Sequence, residues 1–186
     1  DCQACHSDLP AQPAQLTAAK TELCTTCHSD VAEVAKAEHG HPPAAEGDCM
    51  FCHAPHQSDR GALLKGNAEE LCAPCHENVR TEAKLASVHK PFVDFDCSAC
   101  HRPHGGGGKG MLKETGSKLC AGCHADVAKH AESAKVPHAA MQEECLSCHA
   151  PHGSAEPRLM RQRADATCFE CHADVAEQRD KPVSHL

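Results

Sequence analysis

The chain has 186 residues, a formal net charge of −8 with neutral histidine, no Trp or Tyr, and only four Phe. Leu, Ile, Val and Phe are too sparse to fill a core of ordinary density, which excludes a standard globular interior. The acidity argues against a nucleic-acid partner, and no apolar run approaches the roughly 18 residues of a membrane span.

Far above average usage instead are 16 Cys and 17 His, a composition open to a disulfide scaffold, a zinc array or a haem protein. The first element in chain order is CQACH, with Cys2, Cys5 and His6; its use of Cys2 argues against a lipid anchor there. No signal peptide is present, a segment that an exported precursor would have lost. CTTCH follows with Cys24, Cys27 and His28, and then SDVAEVAKAEH leads to His39 and His41. CMFCH supplies Cys49, Cys52 and His53, and its APH step brings His56. CAPCH supplies Cys72, Cys75 and His76, and ENVRTEAKLASVH runs on to His89. CSACH supplies Cys97, Cys100 and His101, followed by His104 in RPH and by Gly105 to Gly108. CAGCH supplies Cys120, Cys123 and His124, and ADVAKHAESAKVPH carries His130 and His138. CLSCH supplies Cys145, Cys148 and His149, with His152 in its APH step. CFECH supplies Cys168, Cys171 and His172, and ADVAEQRDKPVSH reaches His185.

Every cysteine therefore belongs to a CxxCH motif, eight in all. Zinc ribbons also use CxxC pairs at similar separations, and a disulfide scaffold also uses an even count. Neither needs histidine directly after the second cysteine, and chance would place eight there with a probability on the order of 10⁻⁸. Haem attachment does need it. Two thiols add to the porphyrin vinyl groups, and the next residue sets an imidazole beneath the iron. The missing core is then supplied by flat apolar macrocycles, with Leu, Val and Ala on their faces.

Motif intervals of 22, 25, 23, 25, 23, 25 and 23 residues alternate, which marks a two-haem unit of about 48 residues repeated four times. The expected organisation is a single octahaem domain over 1–186 with repeats 1–48, 49–96, 97–144 and 145–186. The first motif of a repeat is followed by Pro-His and loop, where proline stops any helix. The second is followed by an acidic or amide residue and Val and Ala at helical spacing, which predicts a helix of about two to three turns. Val31, Val79, Val127 and Val175 share one place in these helices and are expected on haem faces. The fold class is thus mostly irregular chain with short α-helices and almost no β, wrapped around stacked haems.

The proximal ligands are His6, His28, His53, His76, His101, His124, His149 and His172. His56, His104 and His152 hold the Pro-His place, and His41, His89, His138 and His185 come 13 or 14 residues after the second-motif histidine. In the first repeat Leu9 stands where the Pro-His histidine is missing, and His39, present in that repeat alone, is read as its substitute. These eight are the expected sixth ligands, giving eight covalent bis-histidine haems c. His130 has no counterpart in the other repeats, which carry Val34, Glu82 and Gln178, and is read as solvated. Met50, Met111, Met141 and Met160 share no repeat position and are read as gap-fillers. A histidine three residues past the proximal one cannot reach around its own macrocycle, so His56, His104 and His152 are expected on neighbouring haems.

On these motifs the sequence resembles the multihaem c-type cytochromes with doubled CxxCH motifs, over essentially all 186 residues. The resemblance implies electron transfer in the periplasm, through outer-membrane conduits or outside the cell, with redox proteins or extracellular acceptors as partners. Some relatives polymerise with haems running continuously between subunits; here His185 either ligates a haem of the next subunit, giving a head-to-tail homopolymer, or closes on this chain's own last haem as in a soluble carrier. A catalytic octahaem reductase or oxidoreductase is the alternative. It needs an open or lysine-ligated iron, and no CxxCK motif is present.

Overall fold

The computed structural model describes residues 2–7, 15–179 and 181; Leu9 and His185 lie outside them. From His6, His28, His53, His76, His124, His149 and His172 the backbone N–H donates to the carbonyl of the first cysteine of the same motif at 2.9–3.0 Å. This single helical turn sets two cysteines three apart, and the histidine after them, on one side of the chain.

Beyond the turn, the two kinds of motif diverge. After the second motif of each repeat a helix starts at once: Ser29–Ala35, Glu77–Glu82, Ala125–Ser133 and Ala173–Arg179. Asp30, Glu77, Asp126 and Asp174 lie in their first turns, where a carboxylate complements the helix dipole. After the first motif the chain is extended, with φ/ψ of −107°/144° at His53 and −111°/143° at His149. Pro55 and Pro151 two residues on disfavour helix for the residue between. The chain then doubles back, forming antiparallel bridges His6↔Leu16, His53↔Leu64, His101↔Leu112 and His149↔Met160.

Contacts divide the chain into two compact units, one of residues 1–67 and 100–115, the other of 68–99 and 116–186. In the first, Gly40 bridges Gly105 antiparallel and the His41 N–H donates to the His104 carbonyl at 3.0 Å. In the second the same arrangement widens into a two-stranded sheet, with Ser87 opposite Ser154 and Val88 opposite Gly153. There the His89 N–H donates to the His152 carbonyl at 2.9 Å. The two units thus repeat one construction, joining the end of a post-helix segment to a Pro-His step two repeats later. Among the described residues the rest is helix, turn and coil, as the sequence predicts, and no helix is long and apolar enough to cross a membrane.

The polypeptide makes little interior of its own. It exposes 13737 Å², against about 8,600 Å² expected for a globular chain of its 19.8 kDa. Buried hydrophobic residues among those described are Ala35, Ala73, Phe92 and Ala131. Phe51, Val127 and Val175 are 62%, 55% and 49% exposed, whereas Val31 and Val79, at the same place in their helices, are half-buried.

Close backbone approach matters more than side-chain packing at the strand-like contacts. A Cβ on Gly40 would stand 1.8 Å from the Ala35 carbonyl oxygen, whereas one on Gly61 would meet nothing within 4 Å. Gly40→Ala is therefore expected to destabilise the purified protein by about 2 kcal/mol or more, and Gly61→Ala by no more than about 0.5 kcal/mol. Thermal unfolding of the two variants side by side checks this, and equal midpoints would contradict the packing described.

Candidate metal centre

The two kinds of motif hold their histidines by different means. In the first kind the returning strand supplies a strap. Residue 54 donates to Leu63, 102 to Met111 and 150 to Leu159, and the second cysteine's carbonyl accepts from Lys65, Lys113 and Arg161 in turn. The strap also reaches the ring. His53 Nδ1 bonds the Ala62 carbonyl at 2.7 Å, His101 Nδ1 that of Gly110 at 2.6 Å, and His149 Nδ1 that of Arg158 at 3.1 Å. A backbone carbonyl can only accept, so each Nδ1 carries the proton and Nε2 carries the lone pair that a metal would bind. Holding the carbonyl there puts Ala62, Leu63, Arg158 and Leu159 at φ between 54° and 58°, a region that non-glycine residues enter at a cost. His6 differs: its Nδ1 is buried without a hydrogen-bond partner among the described residues.

Second-motif histidines are placed by helix geometry instead. His28, His76 and His124 are each the residue before a helix begins. The carbonyls of His28 and His124 accept the first intrahelical bonds at 3.2 and 3.1 Å.

Across the repeats the imidazoles meet in pairs. Ring centroids are 6.0 Å apart for His6–His56, His53–His104 and His89–His124, and 6.1 Å for His138–His172. A metal–imidazole bond is about 2 Å and the ring centre lies about 1 Å further, so two imidazoles on opposite sides of one iron have centres roughly 6 Å apart. The donor set fits haem iron, with one free Nε2 from a CxxCH histidine, a second imidazole facing it, and two thiols beside the first. Among the described residues no three His, Cys, Asp or Glu side chains gather as a metal-binding group, unlike the tetrahedral set that zinc would use.

Each pair joins neighbouring repeats. The Pro-His histidines His56 and His104 stand opposite the proximal histidine of the preceding repeat, not their own. The post-helix histidines His89 and His138 stand opposite the second proximal histidine of the following repeat. His41 and His152 belong to the backbone contacts between post-helix segments and Pro-His steps, and His39 accepts the Gly106 N–H through its carbonyl at 3.3 Å. His39 and His130 enter none of the four pairs; His130 is exposed on the helix Ala125–Ser133.

For two of these rings the surroundings favour the neutral form. Burial, first, and the neighbouring His53 lower the pKa of His104, with His41 and His28 adding to the effect and Asp30 opposing it. Burial and then His124 lower that of His89, with His152 adding and a bond at Pro151 opposing. Neutral imidazole is the form that binds metal. Attachment points also adjoin: burial, then the Cys49 thiol beside it, raise the pKa of the Cys24 thiol, so the second and third motifs start side by side. They line an open cleft of about 430 Å³ with Lys20, Met50, Phe51 and Lys65.

Glu82 is a site residue that reading for ligand types alone passes over. Its carboxylate lies 2.8 Å from His152 Nδ1. The signal available was its place in the repeat, where the other three units carry Val34, His130 and Gln178.

A family model described as the doubled CXXCH motif matches residues 1–33, 41–81, 89–129 and 138–177. The last three matches begin on the post-helix histidines His41, His89 and His138. No curated protein gives a match.

The strained strap gives a direct check. Ala62→Gly and Arg158→Gly keep the carbonyl while relieving a left-handed residue, and each is expected to stabilise the protein by about 0.5 kcal/mol. Ala62→Val, β-branched at a positive φ, is expected to lose about 1 kcal/mol or more. Unfolding midpoints that rank in the opposite order would show that the strap holds no strain.

Proposed function

The chain belongs to the doubled CXXCH motif family of multihaem c-type cytochromes, and on that premise we propose that it conducts electrons through eight thioether-linked haems, each iron capped by two imidazoles. The observation that carries this reading is the recurring gap of 6.0–6.1 Å between a CxxCH imidazole and a second imidazole from an adjacent repeat.

When bound, haem supplies one-electron exchange between ferric and ferrous iron. The rest is done by the chain's own residues. Straps and helix starts aim Nε2 of the proximal histidines. His56, His104, His89 and His138 close the opposite faces, which leaves no open coordination position for a substrate. Such saturation suits a conductor rather than an enzyme. Because each closing histidine comes from the next or the preceding repeat, every ligand also fixes the distance between neighbouring centres. The thiol pairs and the helix valines, Val127 and Val175 the most exposed of them, complete the sites. Covalent attachment at such thiols supports maturation outside the cytoplasm and a location in the periplasm or outside the cell.

Register gives the polymer expectation a direction. His138 comes after the helix that starts behind His124 and stands opposite His172. His185 occupies the same place in the sequence after His172, and the polymer reading gives it the iron on His28 of a second copy of this chain.

Two outcomes are expected. The purified protein binds eight haems by mass and by haem assay, all low-spin, and His56→Ala, His104→Ala or His89→Ala each converts one of them to a high-spin species in electron paramagnetic resonance. Variants that stay wholly low-spin would remove those histidines from the ligand set. His185→Ala is expected to shorten head-to-tail assemblies seen by electron microscopy. Assemblies of native length would dismiss His185 as the link between copies.

A further inference from the structure

We infer that Glu82 makes the iron ligated by His152 the harder of two structurally equivalent centres to reduce, the other being the iron between His53 and His104. The inference rests on the proposed bis-histidine ligation and adds to it a difference between two sites built alike.

His104 and His152 occupy the same place in their respective units. Each is the Pro-His histidine whose carbonyl accepts the N–H of a post-helix histidine, His41 at 3.0 Å and His89 at 2.9 Å. Each is followed by a glycine pressed against the helix of an earlier repeat. A Cβ on Gly105 would come within 2.6 Å of the Val34 carbonyl oxygen, and one on Gly153 within 2.5 Å of that of Glu82. Residues 34 and 82 are thus the same position in the two units, and the side chains differ. Val34 offers a methyl group. Glu82 offers a carboxylate, with Oε2 2.8 Å from His152 Nδ1 and both side chains about one-third exposed.

When Nε2 binds iron, Nδ1 holds the remaining proton and donates it to Glu82. A charged acceptor draws that proton further than a neutral one and leaves the imidazole a stronger donor to the metal. Stronger donation, together with the nearby negative charge, favours ferric over ferrous iron. The ring bonds of His53, His101 and His149 go to backbone carbonyls, which are neutral acceptors. Around His104 the nearest carboxylate influence is that of Asp30, acting through space. Phe92 strengthens the contrast. Its ring stacks on His152 at 4.6 Å and 14°, fixing the plane in which Nδ1 points at Glu82, and Ala44 stands at the matching place, three residues after His41.

The test uses the haem-loaded full chain. A spectroelectrochemical titration of Glu82→Gln is expected to move one of the eight haem midpoints to higher potential, with haem content and low-spin count unchanged. Glu82→Asp, which keeps the charge, is expected to restore part of the shift. A Glu82→Gln titration that superimposes on the native one overturns the inference. His152→Ala separates this failure from failure of the ligand reading. If it yields one high-spin iron while Glu82→Gln moves nothing, the ligand stands and the tuning falls. If it yields no high-spin iron, His152 is no ligand and both fall.

Discussion

Two imidazoles held 6.0–6.1 Å apart face one another across a space that neither can close. Keeping that gap open is the constraint from which the rest of the structure derives. Both rings must be anchored independently, since a pair in direct contact would hold itself. The proximal ring is anchored within its own motif by the turn from first cysteine to histidine. The opposing ring is anchored in a neighbouring repeat. Among the described residues few side chains are buried, so on the proposed ligation long-range order comes from the ligands rather than from a core. Its exposure of 13737 Å² states the same fact as area.

The alternation of two motif types answers that need. A histidine that begins a helix has its carbonyl committed to the helix and its ring projecting from the end. A histidine in an extended segment has no such support, and the strap supplies it by returning a carbonyl to Nδ1. The strap's cost is visible in the positive φ of Ala62, Leu63, Arg158 and Leu159. Strain of this kind persists only where the surroundings over-determine it, and here it coincides with the residues that orient a ligand.

Much of this was legible in the sequence, for identifiable reasons. The CxxCH spacing dictates chemistry, and the 23–25 residue alternation dictates the repeat. Val and Ala at helical spacing after His28, His76, His124 and His172 gave the helices. The short tether from His53 to His56 led to the expectation that His56 pairs with the histidine of another motif, and its ring lies 6.0 Å from that of His6. Which motif it pairs with was not legible, because reach in either direction satisfies the tether; the placement of His56 against His6 gives the direction. The strap was hidden for a different reason. Ala62 and Arg158 carry no preference for left-handed backbone, so no propensity announces the turn. Glu82 was hidden because a carboxylate on a short helix reads as solvated surface until the residue packed against it is known. Leu9 and His185, the first repeat's departure and the last post-helix histidine of the sequence, lie outside the described residues.

The backbone bonds between ligand-bearing residues extend this logic from single sites to the path between them. His41 and His104 are tied N–H to carbonyl, and so are His89 and His152. In each case a post-helix histidine is joined to a Pro-His histidine, and of these His89 reaches forward by one repeat to His124 while His104 reaches back by one to His53. On the proposed ligation these belong to different irons, so a single main-chain bond sets the offset between two centres. Side-chain substitution cannot easily alter that offset. Hopping distance is then a property of the backbone, while potential is left to side chains such as Glu82 and Val34. Separating the two lets the repeats diverge in sequence, and so in redox level, without disturbing the path between centres.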